Sequence, residues 1–288
     1  MSNYVIFTDS ACDIKPQMLA EWDVSYRALT FYFNDDNREY SNDDMPVGEF
    51  YEKMRQGGVA KTSAINVDAF AEAFEALLKE GKDILYLGFS GGLSTTCNSA
   101  RIAADELKEK YPDRKLMVVD TLCASAGEGL LVRLVVNKKE EGATIEEAAQ
   151  YAEDIKLSIA HWFTVDDLVY LKRGGRVSPT VAFVGNTLGI KPIMHVDEEG
   201  HLIKVDKARG RRKSLMTMVD MYTETAKTPE SGLVYISHAD CEEDARFVAQ
   251  QIKERHGAEV QVITDVGPVI GAHSGPGTFA LFFVAKQR

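Results

Sequence analysis

Cysteine is scarce and scattered in this chain. The residues Cys12, Cys97, Cys123 and Cys241 stand far apart and form no Cys-x-x-Cys pair. That spacing excludes a zinc ribbon and a disulfide framework, so reduced thiols in packing roles are expected. No Gly-x-x-x-x-Gly-Lys-Ser/Thr loop is present, which removes support for nucleotide-phosphate binding of that kind. No His-Glu-x-x-His or acidic metal cluster appears, and neither a metal nor a cofactor is expected. No apolar run approaches the roughly 18 residues needed to cross a bilayer. The first residues, MSNYVIFTDS, enter a strand at once without a charged-then-apolar leader pattern, so a cytoplasmic location is expected. Positive charge is also in deficit: 33 Lys+Arg against 44 Asp+Glu give a net charge of −11. That balance argues against general binding to nucleic acid or anionic membrane.

What is present describes a globular α/β protein. With 288 residues, the chain can build two medium domains. Strands alternate with amphipathic helices to about residue 157. Tyr4 to Phe7, Ile84 to Leu87 and Leu116 to Val119 read as buried strands, and Thr144-Ile145-Glu146-Glu147 reads as a capping box. Ser25 to Phe33 reads as one further strand. Asp43-Asp44 reads as the cap of a helix over Pro46 to Gln56, and Lys61 to Asn66 as a polar connector. This rhythm predicts a parallel sheet in a first domain, 1–157. The second half pairs Ile190 to Val196 with His201 to Val205 as a hairpin. A short helix is expected over Asp166 to Lys172, another from Ser178-Pro179, and a Gly-rich loop near residue 271. A mixed-sheet domain, 158–288, follows, with a ligand cleft expected between the two domains.

The organising stretch is Asp83 to Leu107, where a strand passes through Ser90-Gly91-Gly92-Leu93-Ser94 into a helix from about Thr95. A helix start directs its unpaired amides and its positive dipole end back at the turn, so a carboxylate or phosphate is expected at Ser94. Two further polar segments can converge on it. In Lys61-Thr62-Ser63, the cap Asn66 leaves Thr62 and Ser63 available for another task. In Gly271 to Gly277, glycines and Pro276 surround a lone His273. Hydroxyls, one imidazole and a helix start make a carboxylate site without making a catalyst. His161, His195, His201, His238 and His256 read as packed or solvated, and the pairs Asp35-Asp36, Asp43-Asp44 and Asp166-Asp167 as turn and cap acids.

A competing reading is a serine esterase or lipase. Gly88-Phe89-Ser90-Gly91-Gly92 fits the Gly-x-Ser-x-Gly elbow, with Asp265 and His273 following in the right order. Against it, four residues separate Ser90 from the expected helix start, whereas an elbow runs straight into its helix. Two basic clusters, Lys172, Arg173, Arg176 and Arg209, Arg211, Arg212, Lys213, contrast with the acidic whole. They suit a docking patch for an acidic partner, and RNA lacks support because no aromatics interleave with them.

Several motifs occur together in order: Thr8-Asp9-Ser10, Lys61-Thr62-Ser63, Gly92-Leu93-Ser94 through Asn98-Ser99-Ala100, Leu171 through Ser178 (LKRGGRVS), Phe183-Val184-Gly185-Asn186 and His273 through Thr278 (HSGPGT). From end to end the chain resembles the DegV family, whose members include fatty-acid-binding subunits of bacterial fatty acid kinase systems. The resemblance implies two α/β domains with a long-chain fatty acid between them. Thr62 and Ser94 would hydrogen-bond the carboxylate, with Ser63 beside them and His273 assisting. It also implies a non-catalytic subunit that presents the carboxylate to a separate ATP-dependent kinase forming an acyl-phosphate for phospholipid synthesis. Arg209 and Arg173 would then face the kinase, and a transient membrane contact would be compatible with the lipid cargo. One departure is Thr95-Thr96-Cys97, where the family usually has Gly-Thr-Tyr: the added Cβ stiffens the turn and the lost aromatic leaves room.

Overall fold

The structure, a computed structural model, describes residues 4–36, 38–177 and 189–288. The expected helix from Ser178-Pro179 and the Phe183 to Asn186 motif lie outside the described residues. In chain order the strands are β1 Tyr4–Asp9, β2 Val24–Arg27, β3 Thr30–Phe33, β4 Tyr40–Ser41, β5 Ala60–Ser63, β6 Asp83–Gly88, β7 Leu116–Asp120 and β8 Ile159–Thr164. They continue as β9 Ile190–Val196, β10 Leu202–Arg209, β11 Val234–His238, β12 Val262–Asp265 and β13 Phe279–Val284. The helices are α1 Pro16–Glu21, α2 Val47–Arg55, α3 Val67–Lys79, α4 Thr96–Lys110, α5 Ala126–Glu140, α6 Ile145–Ile155, α7 Val169–Arg173, α8 Arg211–Thr225, α9 Glu242–His256 and α10 Pro268–Ser274.

The first half holds a parallel four-stranded sheet, β2-β1-β6-β7, as expected. The second holds a six-stranded mixed sheet, β10-β9-β8-β13-β11-β12, in which β11 and β12 run parallel and the other neighbours antiparallel. Among the described strands no pairing joins residues before 157 to residues after it.

A third, three-stranded antiparallel sheet, β4-β3-β5, was not foreseen. It arises because the stretch expected as one strand over Ser25 to Phe33 breaks at Leu29. The Leu29 amide donates to Ser10 Oγ at 2.9 Å and its carbonyl accepts from the Asn42 amide at 3.0 Å. With both backbone groups held outside the parallel ladder and the side chain buried, the chain leaves β1 and starts a new sheet. The supposed connector at Thr62-Ser63 is the edge of that sheet, paired to Phe31 and Thr30. The acids also differ from expectation: Asp44 accepts from the Ser41 amide and Asp43 from the Tyr26 hydroxyl, while α2 has no side-chain cap. Asp167 does cap its helix through the Val169 amide, and Thr144 forms the expected capping box with Glu147.

Helix α5 lies between the two larger sheets and packs on β6, β8, β11 and β13. Around Leu130 to Val136 its residues are apolar and mostly buried except Arg133, which reaches Glu140 at the partly open face. The core cluster it anchors runs from Ile6 and Leu85 of the parallel sheet to Phe163 and Phe282 of the mixed one, so the two halves share one interior. Cys123 packs in this cluster and Cys97 in the separate one beside Phe74 and Tyr86, and burial pushes their thiols up to about 11 and about 12, away from the reactive thiolate range. No helix among the described residues is long and apolar enough to cross a membrane.

Candidate functional site

Between the sheets lies a cavity of about 380 Å³, lined mostly by apolar side chains such as Leu29, Phe89, Leu202, Val269 and Phe282. Its walls come from both halves of the chain. A smaller set of polar groups, Thr62, Ser94, Arg176, His273 and Ser274, also lines it.

Those polar groups are held together by separate local reasons. Thr62 sits on β5, where period-two alternation turns it and Ala64 toward the cavity. Ser63 is not among the lining residues: it takes the other face of the strand, opposite Thr30. Ser94 closes the turn after Ser90, with its amide donating to the Ser90 carbonyl at 3.1 Å. Its hydroxyl accepts from the Thr96 amide at 3.2 Å and lies 2.9 Å from Thr96 Oγ1, so it caps α4 while lining the cavity. The helix therefore begins at the foot of this turn, as the sequence predicts.

His273 lies in a helix, α10, rather than in the expected glycine loop. Pro268 starts the helix at its first position, where a missing N–H costs nothing, and Gly275 ends it at φ +82°. A side chain at Gly275 would meet the Tyr170 ring at 2.3 Å, so glycine serves both the left-handed turn and the close approach. This places His273 Nε2 2.8 Å from Thr62 Oγ1. Burial, and then the nearby Arg176 guanidinium, lower the His273 pKa to about 4, so the imidazole is neutral at neutral pH. Its Nδ1 is buried without a partner and faces Gly174. A buried N–H without an acceptor is the rarer defect, so we assign the proton to Nε2, donating to Thr62 Oγ1. The Thr62 hydroxyl proton is then available to a ligand oxygen.

Arg176 is the site residue that the sequence reading misplaced, by grouping it with the docking patch. Its Nε donates to the Leu93 carbonyl at 3.2 Å, beside Ser94, and its Nη1 donates to the Gly174 carbonyl. A half-buried guanidinium next to two hydroxyls and a neutral imidazole supplies the positive charge that an anion in this cavity needs. Only its place in the Arg-Gly-Gly-Arg segment hinted at this. Ser274 Oγ is likewise buried, without a partner, and lines the cavity.

The groups of the hydrolase reading do not come together. Ser90 is fully buried, donates to the Gly200 carbonyl at 2.9 Å and accepts from the Gly92 amide at 3.2 Å. Asp265 stands 3.9 Å from His238 Nδ1, and the Nε2 of His273 is bonded to Thr62. No Ser-His-Asp relay forms. Of the basic residues, Arg211 is tied to Asp244 at 2.8 Å and Arg212 stacks on Phe247. Arg173, at the end of α7, and Arg209, at the end of β10, are exposed.

A mostly apolar cavity with a polar, positively charged corner has the form of a pocket for an amphipathic anion. The chain belongs to the DegV family: residues 3–286 match the model described as an uncharacterised protein, DegV family. A DegV domain-containing protein of Clostridium perfringens is 42% identical over 291 residues, covering 100% of this chain and 99% of that one. Among solved structures, a DegV lipid-binding protein of Thermotoga maritima is 30% identical with a TM-score of 0.86, and covers 100% of both chains. A stearic acid-binding protein of Eubacterium ventriosum is 25% identical with a TM-score of 0.88, covering 98% of each chain.

Proposed function

We propose that this protein binds one long-chain fatty acid in the cavity between its sheets. The carboxylate sits among Thr62, Ser94 and His273, with Arg176 neutralising its charge. Ser63 supports the strand from its other face. The observation that carries this reading is the joining of Thr62 to His273, and of Arg176 to the Leu93-Ser94 turn, in the wall of one mostly apolar cavity. Each methylene moved from water into that wall contributes about 0.8 kcal/mol, enough in sum to retain lipid through purification. The two solved relatives described as binding lipid and stearic acid share the whole architecture.

The chain in this reading is two α/β domains, 1–157 and 158–288, and a binding subunit rather than an enzyme. It hands the carboxylate to a separate ATP-dependent kinase that forms the acyl-phosphate used in phospholipid synthesis, with exchange of cargo at a membrane surface. Exposed Arg173 and Arg209 on an acidic protein suit the docking of that partner. The protein would work in the cytoplasm. Native mass spectrometry of the purified chain tests the binding: a retained fatty acid is expected, and a chain that stays ligand-free and takes up no added stearate would overturn it.

A further inference from the structure

Two serines interrupt the apolar wall of the cavity. Ser125 precedes α5 and Ser237 lies on β11. Both line the cavity, among neighbours that include Ala280 and Phe282 of β13. They are linked to a third buried group, since Ser125 Oγ donates to Asp13 Oδ2 at 2.5 Å and lies 2.9 Å from Ser237 Oγ. Asp13 Oδ1 accepts from the Gly267 amide at 2.9 Å.

Counting protons fixes the direction of this chain of hydrogen bonds. At pH 8, above the value of about 7 to which burial raises Asp13, its carboxylate has none to give, so Ser125 contributes its single proton to Asp13. The contact between the serines must then use the proton of Ser237, which leaves Ser237 Oγ with lone pairs and no proton. Those lone pairs belong to a group that lines the cavity. An acyl methylene set against them would bury an acceptor without a donor, an arrangement that proteins avoid. His161, which also lines the cavity, does not change the account. The Nδ1 of His161 is bonded to the Ile159 carbonyl at 2.9 Å and its Nε2 accepts from the Ala124 amide at 3.2 Å.

We propose that Ser237, oriented by Ser125 and Asp13, is a second polar subsite of the cavity that takes a hydroxyl group on the acyl chain, so that hydroxylated long-chain fatty acids are preferred ligands. The inference rests on the fatty-acid reading above. A hydroxyl is the smallest group that supplies the missing donor while leaving the rest of the chain apolar. In a wall without such an acceptor, the same hydroxyl would lose its water and weaken binding.

The test uses the full chain stripped of lipid, at pH 8, with affinities measured for stearate and for 3-hydroxystearate, 10-hydroxystearate, 12-hydroxystearate and 18-hydroxystearate. One isomer is expected to bind at least as tightly as stearate while the others bind more weakly. Ser237→Ala is expected to weaken that isomer roughly fivefold, the factor one net hydrogen bond supplies, while stearate binds at least as tightly as before because its methylenes no longer face an unpaired acceptor. The proposal is overturned if every hydroxylated isomer binds more weakly than stearate, or if Ser237→Ala shifts stearate and the isomer equally. Should the variant fail to fold, the positional series on the wild-type chain decides alone. Absence of stearate binding by the wild type would sink the fatty-acid reading itself, and the two failures therefore look different.

Discussion

Thr62 Oγ1 and His273 Nε2 lie 2.8 Å apart although 211 positions separate them in the chain. The bond ties the edge of the small three-stranded sheet to the last turn of α10, and so joins the two halves of the chain at the polar corner of the cavity. Thr62→Ala removes the hydroxyl and leaves His273 with both ring nitrogens unpaired, while Ser94→Ala removes the second hydroxyl and the cap on the Thr96 amide. Each substitution is expected to lower stearate affinity by about 1 to 3 kcal/mol, the range for a buried group that loses its partner. Titration of lipid-free protein by calorimetry measures this, and unchanged affinity in both variants would remove the carboxylate from this corner.

The protonation of His273 offers a test that does not depend on substitution. Without ligand, the folded chain holds the imidazole neutral down to about pH 4, because burial and the Arg176 charge both oppose the cation. A carboxylate placed beside it has the opposite effect and favours the charged ring. Fatty-acid binding should therefore raise the pKa of His273, and at pH values between its free and bound pKa it should take up a proton. Nuclear magnetic resonance of the ring carbons, with and without stearate, reads the shift directly, and a pKa that stays put or falls would place the carboxylate elsewhere.

Gly174 packs against the same imidazole. A Cβ there would come to 2.2 Å from His273 Nδ1, so the ring must move. Its backbone lies in the ordinary right-handed region, so Gly174→Ala should fold and should act by displacing His273 from Thr62. A fall in stearate affinity with little change in thermal stability is expected. Loss of stability without loss of affinity would mean that α7 and α10 separate while the site survives.

The parallel sheet, the hairpin and the Ser94 turn were all legible because each is set by local pattern: buried runs, turn residues and a helix start. Breaking the Ser25 to Phe33 run at Leu29 was not legible, since it depends on Ser10 and Asn42, which meet Leu29 only in the folded chain. The same holds for Arg176. Its sequence neighbours are cationic and exposed, yet its own guanidinium turns inward to the Leu93 carbonyl. His273 was found by its unusual glycine and proline surroundings, but those glycines end a helix instead of bending a loop, because Pro268 five residues earlier starts one. Asp265 fitted a catalytic order that the fold does not assemble, since strand pairing puts it beside His238.

Asp13 carries the last prediction, which concerns pH and stability. It is wholly buried, and burial raises its pKa to about 7 although Ser125 and Gly267 donate to it. In the unfolded chain the carboxyl returns to its ordinary value of 3.8. Between these values the folded state holds a proton that the unfolded state has lost, so stability contributed by this group is full below pH 3.8 and declines as pH rises through 7. A shift of this size corresponds to about 4 kcal/mol at most, at about 1.4 kcal/mol per pH unit. His273, with its pKa lowered from 6.5 to about 4, acts in the opposite sense: its contribution is full above pH 6.5 and is lost as pH falls toward 4. The two slopes oppose one another between pH 4 and 6.5, and Asp13 alone remains between 6.5 and 7. Asp13→Asn keeps an acceptor for the Gly267 amide and removes the titrating proton. Denaturant unfolding at a series of pH values should therefore show the variant gaining stability relative to wild type as pH rises from 5 to 8. A difference that is constant across that range would mean that the folded chain holds Asp13 no differently from the unfolded chain between pH 5 and 8.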